Sequence, residues 1–281
     1  MSYTRPITRT EPSLLLFLID QSGSMTEQIA NSNTSKAQYV ADAINRAIYQ
    51  LAVKATRDSS GPRHYFDIGV IGYGATVGAG WIGSLSSAIV HPLPLLANQP
   101  ARTETRTKRE SDGAGGILEV TVEFPMWVEQ RAGGGTPTAE AMEVAARETA
   151  AWIANHPTSF PPTVIHITDG QHSTSDPEPM AEMIRSLQTQ DGQVLLFNIH
   201  VDSKAGASIL FPSSPHELPD EHARKLFAMS SAPVGRMAER IAREFQTSTG
   251  AETRFFGYRC DAIDFIRLLD IGTPDAAGGD R

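Results

Sequence analysis

Few folds can accommodate the stretch Leu14-Leu15-Leu16-Phe17-Leu18-Ile19, six apolar residues ended abruptly by Asp20. A run this short and this continuous suits a central strand buried on both faces, as found when helices cover both sides of a parallel sheet. A polar segment comes next, and then Ala37, Val40, Ala41, Ile44, Ala47, Ile48 and Leu51 recur at the spacing of one helical stripe. A second strand is predicted over residues 66–73, parallel to the first across a right-handed crossover.

The pattern weakens between residues 74 and 130. Segments 88–96 and 117–128 read as extended, an edge strand or hairpin, and residues 102–116, charged and then glycine-rich, read as a mobile loop. Order returns with a helical stripe at Met142, Ala145, Ala146, Thr149 and Ile153. It is followed by a strand over 163–168, a helix from 179 to about 189, a strand over 194–201, a helix over 236–245, a strand over 253–258 and a helix over 262–269. This alternation predicts an α/β fold: a Rossmann-like, doubly wound, mostly parallel central sheet flanked by helices, with one antiparallel edge strand. The expected organisation is an N-terminal extension over 1–12, one domain over 13–270 carrying a hairpin or loop insertion at about 75–130, and a disordered tail over 271–281.

At 281 residues and 40% hydrophobic the chain can bury a large core. Its 24 basic and 32 acidic residues give a formal charge of −8, which argues against a nucleic-acid partner. The lone Cys260 has no intramolecular disulfide partner, the first eleven residues lack an apolar export signal, and no apolar stretch approaches the roughly 20 residues a membrane span needs. A cytoplasmic protein without a membrane segment is expected.

Three short loops carry the chemistry. Asp20-Gln21-Ser22-Gly23-Ser24 follows the first strand, Gly133-Gly134-Gly135-Thr136-Pro137-Thr138 precedes a helix, and Thr168-Asp169-Gly170 ends another strand. In a parallel sheet, ligands collect at the carboxyl ends of the strands. If the strands are neighbours, Asp20, Ser22, Ser24, Thr136 and Asp169 converge as five oxygen donors bearing two charges. Such hard donors suit Mg2+, which prefers octahedral oxygen geometry and retains water. The pentapeptide alone reads equally well as an ordinary turn; the weight lies in the three loops together.

Those loops resemble the metal-ion-dependent adhesion site of von Willebrand factor A domains, integrin I domains included, over residues 14–269. The resemblance implies direct metal contacts from Ser22, Ser24 and, in the ligand-competent state, Thr136. Asp20 and Asp169 would act through water, and an Asp or Glu of a protein partner would complete the shell. It implies a non-enzymatic interaction module holding Mg2+, with Mn2+ or Ca2+ as alternatives. Cytoplasmic bacterial members associated with tellurite-resistance and stress operons look nearest, which implies an assembly or regulatory role beside a kinase-like protein or a metal-dependent phosphatase.

Other motifs have plainer roles. Thr138 reads as a helix-start residue. His166 reads as a core histidine and His172 as a rim residue, and the run Arg102, Arg106, Lys108, Arg109 as a solvated loop. The glycines 133–135 lack the lysine of a phosphate-binding loop. The enzymatic alternative is a haloacid-dehalogenase-like phosphohydrolase using Asp20 as nucleophile, but its D-x-D motif is broken by Ser22. A serine hydrolase would need G-x-S-x-G, which Gln21-Ser22-Gly23 does not supply. Finally, Ile209, Leu210 and Phe211, bracketed by Gly206, Pro212, Pro215 and Pro219, form either a satellite of the core or an apolar anchor for the partner beside the metal.

Overall fold

In the computed structural model, β1 (Ser13–Asp20) is buried along its whole length and has a parallel neighbour on each side. The structure describes residues 3–271 apart from 30–31, 57–60, 112–115, 171–174, 205, 248, 261–263, 266 and 269–270. The two faces of β1 follow its period of two. Leu15, Phe17 and Ile19 pack with Val40, Ile44 and Ile48 of α1 (Lys36–Ala55). Leu14, Leu16 and Leu18 pack against the other layer, with the helix over residues 138–155. A leucine taken fully out of water contributes about 1.5–3 kcal/mol, so an unbroken apolar strand is stable here and almost nowhere else in a fold.

The chain continues through β2 (Phe66–Tyr73), β3 (Val77–Ala79), β4 (Val90–Pro92), α2 (Leu93–Asn98), β5 (Arg102–Ser111) and β6 (Ile117–Met126). Then come α3 (Thr138–Asn155), β7 (Thr163–Thr168), α4 (Glu178–Ser186), β8 (Leu195–His200), β9 (Ile209–Leu210), α5 (Glu221–Met229), α6 (Gly235–Phe245) and β10 (Phe256–Tyr258). The main sheet runs β3-β2-β1-β7-β8-β10-β9, with β4 also on β2. Strands β2, β1, β7, β8 and β10 are parallel, and antiparallel pairing is confined to the edges, β3 and β4 against β2 and the two-residue β9 against β10. Apolar residues of α1, α2 and α6 belong to one core layer and those of α3, α4 and α5 to the other. The doubly wound, mostly parallel α/β fold expected from the sequence is therefore the one observed.

Three local expectations differ. Residues 102–111, read as loop, form β5, which pairs with β6 in an unbroken antiparallel ribbon from Arg102↔Met126 to Ser111↔Ile117. Only β6 shows an apolar alternation, at Leu118, Val120, Val122 and Phe124; β5 alternates Thr with charged residues, so its period was invisible to a hydrophobic reading. The basic run accordingly sits on a strand. Arg102 pairs with Glu104 and Glu129, and Arg106 lies 4.2 Å over the Phe124 ring and 2.8 Å from Asp42 of α1. The side chains of Lys108 and Arg109 lie outside the described residues. Segment 88–96 divides into β4 and α2, since Pro94 in a first helical turn forfeits no hydrogen bond. Helix α5, absent from the sequence reading, is capped by Asp220, which accepts the Ala223 N–H at 2.8 Å, and buries Ala223, Leu226 and Phe227.

Beyond β6, Trp127 and Val128 enter the core and are held by buried Asn45, whose Oδ1 accepts both backbone N–H groups and whose Nδ2 donates to the Val128 carbonyl. That clamp fixes the approach to the glycine loop at 133–135. Of the predicted closing helix, residues 264, 265, 267, 268 and 271 are helical; its remainder and the 272–281 tail lie outside the described residues. Among the described residues no helix is long and apolar enough to cross a membrane.

Candidate metal centre

Parallel pairing puts the ends of β1 and β7 level, Ile19 beside Ile167, so the loops after them open on one edge. A backbone lattice draws in the third loop. Gly133 N–H donates to the Gln21 carbonyl at 2.8 Å, and Gly23 N–H donates to the Gly134 carbonyl at 3.2 Å. Gly134 has φ +80°, and a Cβ there would stand 2.5 Å from the Ala75 backbone. Only glycine lets the loop pass this close in this conformation.

Asp20 is fully buried, with Oδ1 accepting the Ser22 N–H at 2.8 Å and Oδ2 accepting the Thr168 hydroxyl at 2.7 Å. The Ser22 and Ser24 hydroxyls stand 3.1 Å apart, and Met25 anchors their loop in the core. Thr136 is buried, and its carbonyl accepts the Thr138 N–H at 2.8 Å where α3 begins, so Thr138 takes the helix-start role. The Thr168 hydroxyl also accepts the Gly170 N–H at 3.1 Å. The loops bearing the five predicted donors thus share one edge of the sheet.

Burial drives the Asp20 carboxyl up to about 6, with the Ser22 and Thr168 hydrogen bonds holding it down in part and the nearby Asp169 charge pushing it further up. Asp169 has a cation beside it: Lys36 Nζ lies 2.7 Å from its Oδ2. Burial alone would lower the Lys36 ammonium, but the bond to Asp169 and its charge, together with Glu27 at 3.0 Å, raise it above the ordinary range. Lys36 was missed in the sequence. The signal was a cation at the first position of a helix, where the dipole disfavours it.

His166, at the centre of β7, is a core residue. Its Nδ1 lies 2.7 Å from Asn198 Oδ1 and its Nε2 2.6 Å from the Tyr73 hydroxyl, and burial lowers it to about 4, which keeps it neutral. With Asn198 as acceptor, Nδ1 carries the proton and Nε2 accepts from Tyr73. His172 lies outside the described residues. Among the described residues no three His, Cys, Asp or Glu side chains cluster closely enough to hold a metal. The donor set here is two carboxylates with hydroxyls. It fits a hard, water-retaining ion such as Mg2+, because burial leaves the ionised Asp20 carboxylate poorly compensated and a cation would supply the missing counter-charge.

The apolar triplet divides. Phe211 is buried, its ring edge-on to Phe245 at 4.9 Å and to Phe255 at 6.4 Å, with φ +51°. Ile209 and Leu210 form the edge strand β9 and stay half-buried.

The sequence matches no family model and no curated protein. Solved structures with some likeness include manganese-loaded TRAP protein from Plasmodium vivax, at 14% identity over 67% of this chain and 57% of that one, TM-score 0.34. Others are the PilB minor pilin from Streptococcus sanguinis (11%, 57% of this chain and 30% of that one, 0.31) and the adhesive tip pilin GBS104 from Group B Streptococcus agalactiae (14%, 58% and 46%, 0.30). The chain spans little more than half the length of the first and less than half of the other two.

Proposed function

We propose that the chain is a metal-dependent protein-interaction module, non-enzymatic, in which a divalent cation held by Asp20, Ser22, Ser24, Thr136 and Asp169 receives an Asp or Glu side chain of a partner protein. The observation that carries this reading is the meeting of three loops from distant parts of the sequence around hydroxyls and two carboxylates, with the Ser22 and Ser24 hydroxyls side by side at 3.1 Å. The hydroxyls would bind the ion directly. Asp20, whose oxygens already accept two hydrogen bonds, would reach it through water on the remaining lone pairs. A cation with few direct anionic ligands stays electron-poor, and an incoming carboxylate then makes a strong bond.

The phosphohydrolase alternative asks Asp20 to attack a phosphorus atom. A fully buried carboxylate with both oxygens engaged is badly placed for that. The von Willebrand A resemblance also supports Mg2+ as the ion, with Mn2+ or Ca2+ able to replace it, and a kinase-like protein or a metal-dependent phosphatase of a bacterial stress system as partner; that placement rests on the resemblance alone.

The test is titration calorimetry with Mg2+ and Mn2+ on the wild type, Asp20→Ala and Asp169→Ala, beside capture of partners from native cytosol with and without chelator. One site in the wild type, lost in both variants, with a chelator-sensitive partner, is the expected result. Unchanged metal binding in both variants would overturn the site assignment.

A further inference from the structure

The candidate site contains a cation that belongs to the chain. Lys36, the first residue of α1, is 3% exposed, with Nζ 2.7 Å from Asp169 Oδ2 and 3.0 Å from Glu27 Oε2. Glu27 is open to solvent and also accepts the Ser203 hydroxyl at 2.9 Å. The start of a helix repels an ammonium, so the two carboxylates hold it there against the dipole.

We propose that Lys36 is a tethered competitor for the divalent cation, seated on Asp169 in the metal-free protein and displaced from it when the ion binds. The proposal rests on the metal-site reading above and adds what governs its affinity. With the ammonium on Oδ2, Asp169 is already neutralised, and a divalent ion whose water approaches that carboxylate meets a like charge in a poorly screened setting. Lys36 must give way. Glu27 makes this possible, because the ammonium can withdraw toward a carboxylate it already touches and is never left buried without a counter-charge. Asp169 is then exchanged between two cations, and Glu27 holds the lysine in the metal-bound state. The metal-free protein keeps a compensated Asp169, and ion affinity is set lower than the same oxygens would give alone.

Mn2+ affinity of the full chain, measured by calorimetry for the wild type, Lys36→Met and Lys36→Gln, tests this, with thermal melting in chelator on the same samples. Both variants are expected to bind Mn2+ about tenfold or more tightly than the wild type, since a like charge close to the ion is gone. Their metal-free forms are expected to melt lower, because Asp169 loses its partner. If Lys36→Met does not fold, Lys36→Gln, which keeps a hydrogen-bond donor toward Asp169, decides the matter. Wild type and folded variants binding Mn2+ equally would overturn the tethered competitor and leave the metal site standing. No Mn2+ binding in any of the three would overturn both.

Discussion

Asp20 gives a quantitative handle on the site. Its carboxyl is raised from 3.8 to about 6 in the folded protein, chiefly by burial. Between those values the native state holds a proton that the unfolded chain has released, so the contribution of that proton to stability is full below the window, falls as pH rises through it and is gone above it. The difference between 3.8 and about 6 corresponds to about 3 kcal/mol, and the side chain is buried enough that solvent screening does not reduce it. Urea unfolding in chelator should therefore show stability declining by about 2 kcal/mol from about pH 4.5 to about pH 7.5, the part of that contribution lying above the pH at which depressed carboxylates such as Asp67 and Asp202 lose theirs. Asp20→Asn keeps an acceptor for the Ser22 N–H, and the Thr168 hydroxyl can turn to accept from the new amide. This variant should lack that decline and match or exceed the wild type near neutrality, while Mg2+ should stabilise the wild type alone. Parallel pH profiles for the two proteins would refute the reasoning.

Two further substitutions separate the site from its scaffold. Gly134→Ala forces a left-handed residue and a Cβ into the Ala75 backbone, so it should cost about 1–3 kcal/mol and abolish Mn2+ binding measured by calorimetry; intact binding would show that the loop lattice is dispensable. Phe211→Ala removes a ring packed on Phe245 and Phe255 and should cost about 3–5 kcal/mol, seen as a large drop in melting temperature with metal affinity unchanged. A melting temperature close to that of the wild type would mean that the ring is not a core element.

Much of the fold was legible because its strands are written in one alphabet. The continuous apolar run 14–19 has no other stable home than the middle of a sheet, the β-branched run Thr163-Val164-Ile165 with Ile167 and Thr168 reads as a second buried strand, and the alternation of such segments with helical stripes dictated the doubly wound arrangement. The three candidate loops were legible for the related reason that each follows a strand end or precedes a helix. The features that escaped notice depended on partners rather than pattern. Strand β5 presents Thr and charged residues and is a strand because β6 lies beside it. Nine-residue α5 shows its stripe over barely two turns, just beyond a proline-rich loop. Lys36 is set apart in the sequence only by its place at a helix start, and its setting depends on Glu27 and Asp169, the latter 133 positions away, being brought against it. Phe211 could not be assigned to core or surface from its neighbours, because Phe245 and Phe255 come from later elements.

The lattice that binds the Gln21, Gly23, Gly133 and Gly134 backbones has a kinetic corollary. Asp20 meets Thr168 across 148 positions, and the segment leading to the glycine loop is clamped by Asn45 from 82 positions away. Contacts of such long range form late, since the loop they close must first be ordered. Under the proposed function, a chain still emerging during synthesis would present Asp20, Ser22 and Ser24 as a single turn with little hold on an ion, and tight binding would begin when the last loop docks. Under the proposed reading, a partner that docks through the ion engages finished molecules and passes over nascent or partly unfolded ones, so the interaction itself works as a proofreading step on assembly.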